Sequence, residues 1–209
     1  MRGVPQRSWA AWLADALDLG LVNLAADGEL AAGVRREQLP RAGEGHAFAV
    51  LYVGANDARG AGWNRAGFVA DTRAILAGLA ERAQTVLVVA GPTDLGRPPA
   101  GEKATAANAV VREEAARAGV ALADLGDWPR GARSRIRELV WPDHVHPTPL
   151  GQLDIADAAA HALRAPRLPS AGVVVQRSRG ADLRWWAHLA RAEIHDRWRR
   201  LRERIRPAG

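Results

Sequence analysis

HAFAVLYVGAND, residues 46–57, joins an apolar run to a polar turn and decides the fold class. Residues 46–53 are almost unbroken in apolar character, and short runs of this kind form strands inside parallel sheets. Similar short runs recur at residues 85–90 and 120–125, separated by longer segments with helical spacing. This alternation predicts an α/β fold in which helices cover both faces of a parallel sheet.

The other predicted elements surround these strands. A further short strand is expected at residues 21–26, and residues 173–175 are either a strand or an apolar anchor. Ser8 and Thr148 occupy N-cap positions, and Pro149 stands where a missing N–H costs little. Helices are predicted at residues 8–19, 29–39, 63–83, 104–118 and 149–163.

The length of 209 residues suits one domain with a tail. We assign residues 1–165 to an α/β domain, 166–180 to a linker and 181–206 to a basic amphipathic helix. No apolar run reaches the ~18 to 20 residues of a membrane span, and no secretory signal is visible, so we expect a cytoplasmic protein. The chain has no cysteine, which excludes disulfides, thiolate metal sites and a cysteine nucleophile.

The net charge of +6 lies in the tail. Residues 177–209 carry ten arginines against four carboxylates, whereas residues 1–176 balance at 19 against 19. With Lys103 as the only lysine, this arginine usage indicates the coding bias of a GC-rich bacterium rather than nucleic-acid binding. Apolar residues recur every three or four positions in the tail. The helix therefore either docks on the domain or contacts an anionic membrane surface peripherally.

Two loops that follow predicted strands carry residues suited to an oxyanion site. Gly28 allows a tight turn with an accessible backbone N–H, and Gly54 allows a sharp turn after residues 46–53. Asn56 would present an amide donor, and Asp57 would accept hydrogen bonds that hold the turn. Taken singly, each of these loops is equally compatible with an ordinary turn.

The segment WPDHVHPT, residues 141–148, carries a carboxylate three residues before a histidine. Asp143 would reach the Nδ1–H of His146, fix its tautomer and leave Nε2 as a general base. His144 points along a divergent vector and is not assigned to this pair. A zinc site formed by Asp143, His144 and His146 is the alternative, but no further ligand cluster stands out in the sequence.

The order of these loops resembles blocks II, III and V of the SGNH/GDSL hydrolases over about residues 7–164. The resemblance implies a flavodoxin-like three-layer α/β/α fold and hydrolysis of small-molecule or lipid esters without metal or organic cofactor. It makes Asp143 and His146 the acid and base of a Ser-His-Asp triad. It likewise makes the Gly28 N–H and the Asn56 amide the oxyanion donors.

The chain departs from that family in block I, where a Gly-Asp-Ser should follow the first strand. Only seven residues precede Ser8, and none of the four serines (8, 134, 170 and 178) has this context. We therefore expect the nucleophile and the first strand to be absent, through a misassigned start or a truncated copy, unless residues 173–175 fill the gap. The alternatives are a non-catalytic remnant of the fold and a binding module that acts through the tail.

Overall fold

The computed structural model describes residues 4–60, 62–92, 101–126, 128, 136–141 and 146–175, and residues 183, 187, 190, 191 and 194 of the tail. Three strands form one sheet in the order β1-β2-β3, with β1 at His46–Tyr52, β2 at Ala83–Ala90 and β3 at Ala121–Asp124. Both strand pairs are parallel, with Phe48 opposite Thr85 and Leu87 opposite Ala121. The three clearest predicted strands are thereby confirmed.

Seven α-helical segments accompany the strands in the described residues up to residue 175. They are α1 (Trp9–Ala16), α2 (Ala31–Gly33), α3 (Ala55–Arg59), α4 (Arg65–Ala80), α5 (Gly101–Ala118), α6 (Ile136–Leu139) and α7 (Pro149–Ala162). The segment predicted as one helix at residues 29–39 is instead α2 followed by a π-helical turn, Val34–Gln38, and a 3-10 turn, Leu39–Arg41. Ser8 and Thr148 cap α1 and α7 as predicted, accepting hydrogen bonds from Ala11 N (3.2 Å) and Gly151 N (3.1 Å).

β2 explains why helices are needed on both faces of the sheet. Its side chains alternate in direction, so Val86, Val88 and Ala90 pack into one apolar cluster with residues of α4 and α5. Leu87 and Val89 pack into a second cluster with residues of α1 and α7. Since every residue from 86 to 90 is buried, exposing either face would be costly. The result is the expected three-layer α/β/α architecture.

The prediction of a strand at residues 21–26 was wrong. This segment has no regular structure, and Leu21 and Val22 are 43% and 67% exposed. A strand needs a neighbour for its backbone groups, and among the described strands β1 pairs only with β2. Residues 21–26 pair with none of the three described strands, so their backbone groups have no strand partner.

Residues 173–175 do not form a strand either, and they do not pair with β1. Val173 packs beside a small apolar cluster that contains Val4 and Leu139, whereas Val174 and Val175 are exposed. Of the two interpretations left open by the sequence, the apolar anchor is the one observed.

A buried carboxylate joins α4 and α5, the two helices that pack on the face of the sheet with Val86 and Val88. Glu114 of α5 has a side chain only 3% exposed and accepts two hydrogen bonds of 2.9 Å from the Arg73 guanidinium of α4. Arg117 lies 3.4 Å away. The hydrogen bonds from Arg73 hold the pKa of Glu114 below its usual value, although burial acts in the opposite direction. The ion pair therefore fixes α4 against α5.

Replacing this carboxylate should make stability depend on pH in a defined direction. Because the folded state lowers the pKa of Glu114, its contribution is complete at pH values above the unfolded pKa and is lost as pH falls through the folded pKa. We expect Glu114→Gln to lower the free energy of unfolding by about 1 to 3 kcal/mol at pH 7. That difference should shrink towards pH 3, as measured by urea denaturation. Glu113→Gln, which alters an exposed pair with Arg65, is the control, and an equal, pH-independent loss in both variants would contradict the assignment.

Candidate functional site at the carboxyl end of the sheet

Two contacts bring the starts of α1 and α7 to the carboxyl end of the sheet. Tyr52, the last residue of β1, makes an edge-to-face contact with Trp9, the first residue of α1, with ring centroids 6.3 Å apart. The Trp9 backbone N–H donates to Oε1 of Gln152, in the first turn of α7, at 2.8 Å. Nothing in the sequence indicates this Trp9–Gln152 contact, because the partners are 143 positions apart. The loops before α7 and after β1 consequently share one end of the molecule.

The turn after β1 depends on Gly54. Its φ of 104° lies in the left-handed region, which favours glycine. A Cβ at this position would lie 3.1 Å from the Phe68 ring and 3.5 Å from the Ala107 Cβ, so the backbone approaches the α4–α5 layer closely. Gly54 caps α3, and the predicted sharp turn is present.

Asn56 and Asp57 connect this turn to the loop that contains Gly28. The Asn56 Nδ2 donates to the Glu29 carbonyl at 3.0 Å, and the Asp57 carboxylate accepts from the Ala31 N–H at 3.1 Å. Burial raises the pKa of Asp57, while the backbone hydrogen bond from Ala31 partly offsets this effect. The Asn56 and Asp57 side chains therefore connect the turn after β1 to the loop that contains Gly28.

Gly28 lies in an exposed turn with a φ of +77°, immediately before the residue that Asn56 binds. A Cβ there would meet nothing within 4 Å, so the space in front of Gly28 is open. Its position is thus kept by the Asn56 and Asp57 contacts, although the strand predicted to lead into it is absent. One Asn56 N–H holds the loop, which leaves the second amide hydrogen as a donor.

His146 stands on a segment that is held firmly ahead of α7. Its backbone carbonyl accepts from the Trp141 N–H at 2.9 Å, and Val140 and Pro147 form an antiparallel bridge. Thr148 is buried, and its N–H donates to the Leu139 carbonyl at 2.8 Å. The His146 side chain is exposed, which suits a general base that must meet a substrate.

Asp143 and His144 lie outside the described residues, so the Asp143–His146 pair stays a prediction. The zinc alternative uses the same two residues and stays equally open. Within the described part of the chain, no group of three or more histidine and carboxylate side chains could hold a metal ion.

Neither described serine is placed as a nucleophile. The Ser8 hydroxyl caps α1, and Ser170 lies in the turn after α7, where its N–H donates to Asp157 at 2.9 Å. Ser134 and Ser178 lie outside the described residues. In the region that the structure covers, no serine hydroxyl is therefore assigned to the predicted site.

The sequence matches a family model described as the GDSL-like lipase/acylhydrolase family over residues 2–153. Among curated protein sequences, no match to this chain was found. The match spans the loops around Gly28 and Asn56 and the segment around His146, and it therefore covers every predicted site residue.

Solved structures with the same fold include several esterases. Axe2, an acetylxylan esterase from Geobacillus stearothermophilus, has a TM-score of 0.63 and 16% identity over 83% of this chain and 84% of its own. LAE5, an α/β hydrolase from the metagenome of Lake Arreo, Spain, has a TM-score of 0.63 and 18% identity over 77% of this chain and 83% of its own. The acetyl xylan esterase AlAXEase has a TM-score of 0.59 and 18% identity over 77% and 93%. At these sequence identities, the similarity between this chain and the three proteins concerns the fold alone.

The Asp57 contact can be tested by comparing two substitutions. Asp57→Ala removes the acceptor for the Ala31 N–H and should lower the free energy of unfolding by about 1 to 3 kcal/mol. Asp57→Asn keeps an acceptor oxygen and removes a charge whose burial is unfavourable, so it should recover at least half of that loss. Urea denaturation at pH 7 provides the comparison. Equal destabilisation by both substitutions would show that the carboxylate does not act through this hydrogen bond.

Proposed function

Since this chain belongs to the GDSL-like lipase/acylhydrolase family and is by family an ester hydrolase of the SGNH type, we propose that His146 and Asp143 supply its acid–base chemistry. Asn56 and the Gly28 N–H serve as the oxyanion donors. The observation that carries the proposal is the bond from Asn56 to the Glu29 carbonyl, at the sheet end that also holds the segment with His146.

The reaction requires a hydroxyl, a base and an oxyanion site. His146 Nε2 takes the hydroxyl proton while the oxygen attacks the ester carbonyl carbon, and the carbonyl electron pair moves onto the carbonyl oxygen. Donors from Asn56 and Gly28 stabilise the resulting negative charge. The tetrahedral adduct then expels the alkoxide, which takes the proton from His146. Water repeats the same sequence on the acyl intermediate and releases the carboxylic acid.

The substrate class is a small-molecule ester. Two of the structural relatives are acetylxylan esterases, and this supports acetylated sugars as the first compounds to test. A lipid ester is the second choice, because the tail offers a means of staying near a membrane. Neither choice requires a metal or an organic cofactor.

We expect the chain to hydrolyse short activated esters no faster than background, because none of its four serines stands in the Gly-Asp-Ser context of the family's nucleophile. Release of p-nitrophenol from its acetate ester is the measurement. Turnover clearly above background that disappears in His146→Ala would contradict the expectation. His161→Ala, which alters an exposed histidine at the end of α7, is the control substitution.

The assignment of Asp143 can be examined without turnover. If its carboxylate accepts from the His146 Nδ1–H, long-range ¹⁵N NMR spectra should show Nδ1 protonated and Nε2 free in neutral His146. Asp143→Asn should disturb that tautomer, whereas Asp127→Asn should not. A His146 ring with the same tautomer mixture in all three proteins would remove Asp143 from the site.

The tail is proposed to bind an anionic membrane surface peripherally. Leu183 and Ile194 are helical and 71% and 57% exposed, and they share the predicted apolar stripe. Ten arginines beyond residue 176 supply the complementary charge. In the described residues, no helix is both long and apolar enough to cross a membrane.

Sedimentation with vesicles tests this proposal. The full chain should pellet with vesicles rich in phosphatidylserine, and a chain ending at Pro169 should stay in the supernatant. Binding should weaken as salt rises, because the attraction of arginine to lipid is screened. Equal sedimentation of the two proteins would remove the membrane role.

A further inference from the structure

We propose that Tyr52 forms the alcohol side of the ester site, where its phenol hydroxyl donates a hydrogen bond to an oxygen of an acetylated sugar. This inference rests on the proposed function, because it takes the oxyanion donors and the base from it. It adds the side chain that the alcohol part of the ester would contact. Tyr52 is also the only tyrosine of the chain, so its ring can be observed selectively.

The Tyr52 side chain points to the face of the sheet that α1 and α7 cover. Side chains alternate along a strand, and Val50 packs into the apolar cluster on that face, whereas Leu51 packs into the cluster of α4 and α5. The contact of Tyr52 with Trp9 of α1 agrees with this direction. Because the segment with His146 leads directly into α7, Tyr52 and the proposed base belong to the same side of the site.

The proposed oxyanion donor Asn56 belongs to the opposite side. It lies in α3, which packs on α5, and its amide binds the loop before α2, which packs on α4. An ester with its carbonyl oxygen bound to Asn56 would therefore direct its alcohol part towards α1 and α7. Acid catalysis requires the same orientation, since His146 returns its proton to the alcohol oxygen. Tyr52 consequently lies where the alcohol part would be bound.

The fold holds the Tyr52 ring in this position from two sides. Gly91 follows β2, and a Cβ at Gly91 would lie 3.1 Å from both the Cε2 and the hydroxyl oxygen of Tyr52. A larger residue at position 91 would therefore displace the ring. The buried Asn108 of α5 donates to the Gly91 carbonyl and so fixes the backbone against which the ring lies. Trp9 contacts the ring from α1.

The hydroxyl of this fixed ring has no hydrogen-bond partner among the described residues. Burial raises the pKa of Tyr52 to about 12, so the hydroxyl keeps its proton at neutral pH and can act as a donor. Tyr52 is still 36% exposed, and a ligand can therefore reach it. A donor that has lost water without gaining an acceptor is unfavourable, and a sugar oxygen would supply the acceptor. The phenol ring adds apolar surface for the C–H groups of the sugar.

The experiment uses the full chain labelled with ¹³C-tyrosine, which gives the ring signals of a single residue. The probe is methyl 2-O-acetyl-β-D-xylopyranoside, the xyloside ester. Ethyl acetate has the same acyl group without a sugar, and glycerol monoacetate has hydroxyls without a ring. Because the chain is expected not to hydrolyse esters, the intact compounds serve as ligands, and NMR titrations give their dissociation constants. If an ester is cleaved, KM values from the same spectra replace these constants.

Tyr52→Phe removes the hydroxyl and keeps the ring. It should weaken binding of the xyloside ester about three- to tenfold and leave binding of ethyl acetate unchanged. In the unaltered chain, the Tyr52 Cζ signal should shift with the xyloside ester and stay in place with ethyl acetate. Phe48→Leu changes a ring on the same face of β1, four residues earlier, and is the control that should alter neither affinity.

Three results would overturn the proposal. One is an unchanged affinity of Tyr52→Phe for the xyloside ester. Another is equal weakening of the xyloside ester and ethyl acetate in that variant, because a general disturbance of the site would act on both. The third is tighter binding of glycerol monoacetate than of the xyloside ester, since the alcohol would then not be a sugar. Urea denaturation verifies that each variant is folded.

Asn56→Ala separates a failure of this inference from a failure of the proposed function. Since Asn56 is assigned to the acyl oxygen, its loss should weaken both the xyloside ester and ethyl acetate. That result together with no effect of Tyr52→Phe supports the oxyanion role and removes Tyr52 from the site. An effect of Tyr52→Phe on the xyloside ester alone, with none of Asn56→Ala, supports the alcohol contact and contradicts the oxyanion donor. Absence of binding by the unaltered chain contradicts both.

A second readout covers the case in which Asn56→Ala does not fold, because Asn56 also ties two loops together. In the unaltered chain, the ¹⁵N signal of the Asn56 side-chain amide should shift with either ester. A shift of this signal without a shift of the Tyr52 ring supports the oxyanion role and contradicts the contact proposed for Tyr52. A shift of the Tyr52 ring alone has the opposite meaning.

Discussion

The parallel pairing of β1 with β2 is the constraint on which the rest of this structure depends. It aligns Tyr52 with Val89 and so fixes where β1 ends relative to the buried centre of the sheet. Gly54 can then turn the chain against Phe68, and α3 can present Asn56 and Asp57 to the loop at residues 28–31. A shift of one residue in this register would exchange the two faces of β1 and remove both contacts.

Elements were predicted correctly where the local sequence pattern is compatible with only one type of secondary structure. The apolar run at residues 85–90 predicts a buried strand, and the structure has one there. Ser8 and Thr148 are N-cap residues at the starts of the predicted helices. Sequence reasoning failed at residues 21–26, where the local pattern suits a strand but pairing depends on a neighbour. It could not foresee the Trp9–Gln152 bond either, because nothing local marks two partners so distant along the chain.

The candidate site likewise combines features that were predicted from the sequence with features that were not. Spacing was enough to single out Gly28, Gly54, Asn56 and Asp57. The structure connects their two loops through the hydrogen bonds of Asn56 with Glu29 and of Asp57 with Ala31. It places His146 at the same end of the sheet, on a segment braced by Val140 and Thr148. The role of Asn56 as a loop tie was not expected from the sequence, since its side chain there was assigned only to an oxyanion. The proposed donor Asn56 and the proposed base His146 therefore lie on segments that follow β1 and precede α7.

The Asn56 amide and the His146 imidazole should converge on one crevice. A crystal structure with bound acetate would show directly whether they do. Acetate resembles the acid product, and its oxygens stand in for those of the reacting carboxyl group. We expect one acetate with an oxygen about 3 Å from the Asn56 Nδ2 and another within hydrogen-bond reach of the His146 Nε2. Side chains of Asn56 and His146 on separate surfaces, with no position that a single carboxylate can bridge, would contradict it.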